Sequence, residues 1–378
     1  MRLFEYEAKA IFKTHGISTP RGGLGSEPEQ VKRIAAEIGR PVVLKAQVLV
    51  GGRQKVGGVQ FASNPEEAAK IAERMFADGV RGEPVRKLLV EERVDFEREI
   101  YAAVTIDDSA GAPIAMVSSE GGIEIEDIVA KHPERLVAER IEIFSGLEQH
   151  QARRLIKRTG LSKETMLDVS RTFWALYQIF RKYDGTIAEI NPLVISKGGS
   201  TCAVGAVLEV DDDALHRHPE LEARPDERVQ DEIERRATEL GLAYVRLDGD
   251  VGLIGTGAGL AMATVDLVKL YGGEPANFLD TGGRITQEHI KNALSTVLMN
   301  PKVRGVLINM YGGINPIVDA AQGIVALTKE RRLNVPIVVK VRGNFEEQAW
   351  EILQEAGIEI VKDIRTEVAA QRIIELVH

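Results

Sequence analysis

Lys45 lies inside the apolar run VVLKAQV (42–48), where an ammonium is costly to bury without an anionic partner. The run therefore predicts a strand whose lysine points into a cleft. Six residues on, GGRQKVGG (51–58) carries Arg53 and Lys55 between glycines. Glycines let a backbone approach a phosphate closely and two cations neutralise it; a surface hairpin with a basic tip is the other reading. The GK[ST] of a Walker loop is absent. Glu91 and Glu99, at the end of one strand and the start of the next, could accept from nucleotide hydroxyls or simply be solvated. In GTIAEINPLVI (185–195), Glu189 and Asn191 share one face of a strand. They present a carboxylate and an amide oxygen to a hard cation or a phosphoryl group, or form a plain polar edge.

In YGGINPIVD (311–319), Asn315 suits a helix N-cap and Pro316 the first helical position. The two glycines before them would then face an anion-binding helix N-terminus, or else an ordinary capped joint. GTGAG (255–259) with Asp280 suggests a dinucleotide fold, but Leu260 stands where the fingerprint needs a third Gly or Ala. No histidine falls beside a Ser or Cys motif that would mark a hydrolytic triad, and His216 and His218 read as solvated.

The elements that must position these residues differ between the two parts of the chain. Apolar runs at 251–256, 275–280, 304–311, 336–341 and 358–363 read as buried parallel strands, with helical stretches between them. This alternation predicts a doubly wound α/β sheet whose ligands meet the loops at 255–259, 281–284 and 311–316, outside the strands' carboxyl ends. The first two-thirds reads as α+β. Helices are expected at 64–78, 146–158 and 163–182, and strands at 42–50, 57–62, 87–94, 100–106, 113–118, 185–195 and 201–210. The charged stretch 216–241 shows no strand pattern, which places the domains at 1–225 and 245–378 with a linker at 226–244, an exposed helix over part of the stretch being the other reading.

A chain of 378 residues suits two or three cores. The net charge of −9 argues against a nucleic-acid binder. Cys202 is the only cysteine, which excludes an intrachain disulfide and a cysteine-based zinc site and fits a reducing compartment. The first sixteen residues place apolar groups at helical intervals between charges, unlike a signal peptide or membrane span. A cytoplasmic protein with no membrane partner is expected.

Taken in order, EYEAK, LKAQV, GGRQKVGG, SSEGGIEIE, EINPLVI, GAGLAMATVDLVKLYGGEPANFLD and INMYGGI resemble the β subunits of succinyl-CoA synthetases and close acid–CoA ligases such as malate–CoA ligase. The resemblance spans essentially the whole chain, and GGEPANFLD is its most specific string. It implies an N-terminal ATP-grasp fold followed by a flavodoxin-like CoA-ligase domain. It also implies a heterotetrameric enzyme of the tricarboxylic acid cycle, in which a partner α subunit binds most of the CoA and carries a transiently phosphorylated histidine. ATP or GTP would phosphorylate that histidine; the phosphoryl group would pass to a small carboxylic acid such as succinate, and CoA would attack the acyl phosphate.

By motif, the resemblance puts Lys45, Gly52, Arg53, Gln54, Glu91, Val94 and Glu99 at nucleotide contacts and Asn191 on Mg2+. Glu189 meets the histidine loop, and Thr256, Gly313, Ile314 and Asn315 contact the acid. Four positions depart from the family pattern. Gln54 replaces a glycine of the phosphate loop, Thr256 an asparagine and Arg284 a glycine. Gly205 stands where the second Mg2+ ligand, an aspartate, belongs, and the nearest acids, Glu209 and Asp211, are at least four residues away. An active ligase subunit is the leading expectation, and a catalytically weakened nucleotide-binding subunit with a structural or regulatory role is the alternative. A dehydrogenase, resting on GTGAG and Asp280 alone, comes third.

Overall fold

The computed structural model describes residues 1–378 apart from 51, 124, 162, 222–227, 230, 284 and 332, and for residues 54, 131, 163 and 164 the backbone alone. The chain divides into two compact units, Met1–Ala223 and Arg224–His378. Among the described residues no helix is long and apolar enough to cross a membrane.

The first unit opens with helix α1 (Glu5–Thr14), whose buried stripe is Glu5, Ala8, Lys9 and Phe12. The spacing i, i+3, i+4, i+7 puts all four on one face, so this helix buries two charges together with its apolar groups. A four-stranded antiparallel sheet comes next, built from β1 (Gly22–Gly25), β2 (Val42–Ala46), β3 (Val59–Ala62) and β4 (Leu88–Glu92) in the order β1-β4-β2-β3. Helices α2 (Pro28–Ile38) and α3 (Pro65–Asp78) cover it through Val31, Ala35, Ala68, Ile71 and Met75. Asn64 starts α3 by accepting from the Glu67 amide, with Pro65 behind it, as N-cap chemistry dictates.

The second sheet of this unit is six-stranded and antiparallel. It contains β5 (Arg98–Asp107), β6 (Ala112–Ser118), β7 (Leu136–Arg140), β8 (Gly185–Ile195), β9 (Thr201–Ala203) and β10 (Val207–Val210). Alternation along β5 and β8 sends Ala102, Val104, Ala188 and Ile190 into the main core. There they meet α5 (Gln149–Lys157), α6 (Lys163–Lys182) and the Ala8 and Phe12 side chains of α1. The opposite face carries Tyr101 and Ala103 against Ile128 of α4 (Ile125–Lys131). The run 201–210, expected as one strand, is two, because the chain breaks step at Val204–Ala206.

The second unit is a doubly wound sheet in the order β11-β13-β12-β14-β15-β16. Strands β12 (Val251–Gly255), β13 (Asn277–Asp280), β14 (Gly305–Gly312), β15 (Ile337–Gly343) and β16 (Glu359–Ile360) run parallel. Strand β11 (Ala243–Arg246) adds an antiparallel edge. This edge strand and α7 (Glu232–Glu239) both touch the stretch 226–244 read in the sequence as a linker. Exposure hid the strand, since only Tyr244 of its four residues is buried. Helices α9 (Gln287–Val297), α10 (Val318–Glu330) and α11 (Glu346–Glu355) pack one face of the sheet, and α8 (Ala258–Leu270) and α12 (Thr366–Val377) the other.

Backbone register between β12 and β13 is short, and a side chain completes it. The fully buried Asn277 accepts from the Leu253 amide at 3.0 Å and donates to the Leu253 carbonyl at 2.8 Å. Asn277→Ala strands both backbone groups in the core, at a cost of about 1–3 kcal/mol. A lowered urea midpoint with an unchanged m-value is the expected result.

Candidate functional site

Burial first concentrates charge around α1. The Lys45 ammonium, on β2, meets the Glu5 carboxylate at 2.9 Å and Glu91, on β4, at 2.9 Å, and donates to the Val204 carbonyl at 2.5 Å. Lys9, one turn after Glu5, meets Glu5 at 2.9 Å and both Glu91 oxygens at 2.6 Å, and also donates to the Val204 carbonyl, at 2.6 Å. Arg53 reaches the second Glu5 oxygen at 2.5 Å and the Ala46 carbonyl at 2.8 Å. Burial alone would raise the Glu5 carboxyl, but Lys45, Lys9 and Arg53 beside it drive it well below the usual range. Burial likewise opposes charge on Lys45, yet Glu5 and Glu91 hold its ammonium above the ordinary lysine range.

The GGRQKVGG segment is both a hairpin and a cationic loop. It joins β2 to β3 through a 3-10 turn, Arg53–Val56, with Gly52 and Gly57 in the left-handed region at φ of 63° and 81°. Those angles favour glycine, and they turn Arg53 inward. Lys55 points outward to Asp127 at 3.5 Å. Gly51 lies outside the described residues, as does the Gln54 side chain.

Glu189 and Asn191 lie on the face of the large sheet opposite the main core. The Tyr101 hydroxyl donates to Glu189 at 3.1 Å, and burial together with that carboxylate raises the tyrosine's pKa. Asn191 clamps the 121–123 loop: its amide oxygen accepts from Gly122 at 2.8 Å and its nitrogen donates to the Ile123 carbonyl at 3.0 Å. Gly122, at φ 73°, sits against Glu99, and a Cβ there would lie 2.8 Å from the Glu99 carboxylate. Burial raises Glu99 above the ordinary carboxyl range. Val94 is half-buried beyond the end of β4.

Gly205 links the two groups of residues. Its neighbour Val204 supplies the carbonyl shared by Lys9 and Lys45, and a Cβ on Gly205 would lie 1.9 Å from the Asn191 carbonyl oxygen. The structure thus joins Arg53, Glu5, Lys45, Val204–Gly205, Asn191, Gly122 and Glu99 in one continuous run of contacts. Glu5 and Lys9 were not singled out in the sequence. Their signal was an i, i+4 charge pair lying on the same helical stripe as Ala8 and Phe12.

As for a divalent cation, no group of three or more His, Cys, Asp or Glu side chains among the described residues could hold one. One carboxylate and one amide on the same strand face, Glu189 and Asn191, do fit a cation that takes most of its oxygens from nucleotide phosphates and water.

In the second unit the loops at the strands' carboxyl ends are tied to one another. The Thr256 hydroxyl accepts from the Tyr311 amide at 2.8 Å and donates to its carbonyl at 3.3 Å. Asp280 accepts from the amides of Gly257 at 2.6 Å and Gly282 at 2.7 Å, so the carboxylate that suggested a dinucleotide site is used within its own loops. Asn315 is not a helix cap: α10 starts at Val318 with Ile317 before it, and the Asn315 side-chain amide donates to the Gly283 carbonyl at 2.5 Å. Asn344 holds the Gly313 carbonyl at 2.9 Å, and Ile314 is almost fully exposed. Arg284 lies outside the described residues.

Two family models match the chain, an ATP-grasp domain over residues 2–195 and a CoA-ligase domain over 254–374. It is 43% identical to the β subunit of the ADP-forming succinate–CoA ligase of Methanothermobacter thermautotrophicus, over 100% of this chain and 99% of that one. The chain belongs to the succinate–CoA ligase β-subunit family. The corresponding subunit of Ignicoccus hospitalis is 44% identical over 100% of this chain and 99% of its own, and the GDP-forming one of Thermus thermophilus 42% over 94% and 93%. The solved ATP citrate lyase of Methanothrix soehngenii is similar in fold, with a TM-score of 0.79, 19% identity and 99% of each chain covered. The fold is therefore an ATP-grasp domain followed by a CoA-ligase domain, and the chain is a ligase subunit of this succinate–CoA ligase family.

Lys45→Ala removes a cation shared by two buried carboxylates, so it costs stability, about 3–5 kcal/mol, as well as any ligand contact. Thermal melts read it directly. A second expectation concerns pH. Because the folded-state pKa of Glu5 is depressed, its contribution is fully present above the ordinary glutamate value of about 4 and is lost as the pH falls below it. Melting temperature should drop more steeply with acid in the native chain than in Glu5→Gln. A third concerns Gly205: an aspartate there has no room without moving the Asn191 backbone, so Gly205→Asp should lose about 1–3 kcal/mol rather than restore a metal ligand.

Proposed function

We propose that this chain is the nucleotide-binding subunit of an acid–CoA ligase that works with a CoA-binding α subunit. The observation that carries the reading is the run of contacts from Arg53 through Glu5, Lys45 and Gly205 to Asn191 and Glu99, inside the part of the chain matched by the ATP-grasp model. The nucleotide is a nucleoside triphosphate, since similar subunits carry both ADP-forming and GDP-forming names. Arg53 and Lys45 take its phosphates, with Gly52, Gln54 and Val94 lining the approach and Glu91 and Glu99 accepting from it.

Glu189 and Asn191 would hold a magnesium ion borne by those phosphates. That ion, when bound, offsets the negative charge on the transferring group. Glu189, oriented by the Tyr101 hydroxyl, also faces the partner's histidine loop. In the second unit, the loops carrying Thr256, Gly313, Ile314 and Asn315 bind the acid, a small dicarboxylate such as succinate. The Thr256 hydroxyl is spent on Tyr311, so it shapes that site more than it donates to substrate. A cytoplasmic α2β2 assembly completes the proposal.

A weakened subunit is the second reading, and Gly205 favours it, because the segment facing Asn191 offers no carboxylate. Co-expression with the α subunit, followed by a screen of succinate, malate and citrate for nucleotide- and CoA-dependent thioester formation, tests both. Turnover that requires both chains and saturates at elevated magnesium supports the active reading. Nucleotide binding without histidine phosphorylation supports the weakened one. Full turnover by the isolated chain would falsify the two-subunit proposal.

A further inference from the structure

We infer that Glu5 is an internal competitor for the nucleotide phosphates, a positioning residue that holds Lys45 and Arg53 until a phosphate takes them. The inference rests on the proposed nucleotide site and deepens it. Both oxygens of the Glu5 carboxylate are used, one by Lys45 at 2.9 Å and the other by Arg53 at 2.5 Å. These are the two inward cations of β2 and the 3-10 turn, so a polyphosphate approaching that turn meets them already neutralised.

The charge balance of the cluster dictates how phosphates can enter. Lys9, Lys45 and Arg53 against Glu5 and Glu91 leave one net positive charge, too little for a diphosphate placed beside a fixed carboxylate. Like charges at such distances repel strongly where water is excluded. The phosphates must therefore draw the cations away from Glu5. Arg53 is suited to go first: its side chain is 20% exposed against 7% for Lys45, and it rides on a turn bounded by two left-handed glycines. Lys9 makes the release tolerable. It lies 2.9 Å from Glu5 on the same helix, so the carboxylate keeps one partner after the other two leave. Without Lys9, Glu5 would be an unpaired buried charge in the bound state.

The test is calorimetric titration of the full-length chain and its Glu5→Gln variant with MgADP and, separately, with adenosine, which has no phosphate to compete. The amide keeps the size of the side chain and removes its charge. The expected result is an ADP Kd lowered about tenfold in the variant, with adenosine affinity unchanged. The ligand-free variant should melt at a lower temperature, yet ADP should raise its melting temperature by more than it raises that of the native chain. If Glu5→Gln does not fold, Glu5→Asp keeps the charge but shortens its reach, and its ADP affinity must exceed the native value. A folded variant that binds ADP no better than the native chain, or whose ADP and adenosine affinities rise together, overturns the role of Glu5 while leaving the nucleotide site standing. ADP binding absent from both native chain and variant removes the nucleotide reading and this inference with it.

Discussion

Four charged side chains, Glu5, Lys9, Lys45 and Glu91, are taken out of water together where α1 meets the small sheet, and the half-buried Arg53 joins them. Desolvating any one alone would be prohibitive, and mutual pairing makes the set tolerable. Its position constrains much of the first unit. Helix α1 must present Glu5 and Lys9 to β2 and β4 while sinking Ala8 and Phe12 into the core of the large sheet. The two lysines also need the Val204 carbonyl, which holds the chain between β9 and β10 where it abuts Asn191. Asn191 in turn fixes the 121–123 loop, and that loop meets Glu99. A set of ion pairs thus determines where backbone and amide groups stand on a different sheet.

Much of this was legible in the sequence, through period and cost. A lysine in an apolar strand had to have an anionic partner, and Lys45 has two. Period-two alternation correctly placed Glu189 and Asn191 on one face of β8, and apolar runs located the parallel strands of the second unit. What escaped was set by distant contacts. In the N-terminal helix the apolar spacing gives no sign that Glu5 and Lys9 share the buried stripe. Two strands were merged into one over 201–210, because nothing local announces that two ammonium groups will claim the Val204 carbonyl. Asn315 and Pro316 satisfy every local rule for a helix start, yet α10 begins at Val318 and the Asn315 amide nitrogen is bonded to the Gly283 carbonyl of another loop.

The second unit orders its loops differently, with hydrogen bonds between single side chains and backbone rather than a cluster of buried ion pairs. Thr256, Asp280, Asn315 and Asn344 each tie a side chain to the backbone of another loop or turn. Below them the Asn309 amide donates to the Thr264 hydroxyl at 2.8 Å and receives Lys340 at 3.4 Å, whose ammonium burial pushes down. Such a lattice fixes backbone amides around the strand ends while leaving Ile314 at the tip exposed. The proposed function would set the acid among these tied loops, where rigid placement contributes more than added charge.

Gly205 shows how the two requirements of a nucleotide site oppose each other. The close approach of its backbone to Asn191 is possible only without a side chain, and the preceding carbonyl is spent on two lysines. A carboxylate at this point would add negative charge beside Glu5 and Glu91, which pair with Lys9 and Lys45. On the proposed function, leaving it out lowers the repulsion that an incoming polyphosphate would meet. On the proposed function, the same omission leaves Glu189 and Asn191 as the protein's oxygen donors to an ion the phosphates would carry, so that ion would be held more by the nucleotide than by the protein. If the proposed site is right, the balance between nucleotide and metal is set by the backbone segment that approaches Asn191.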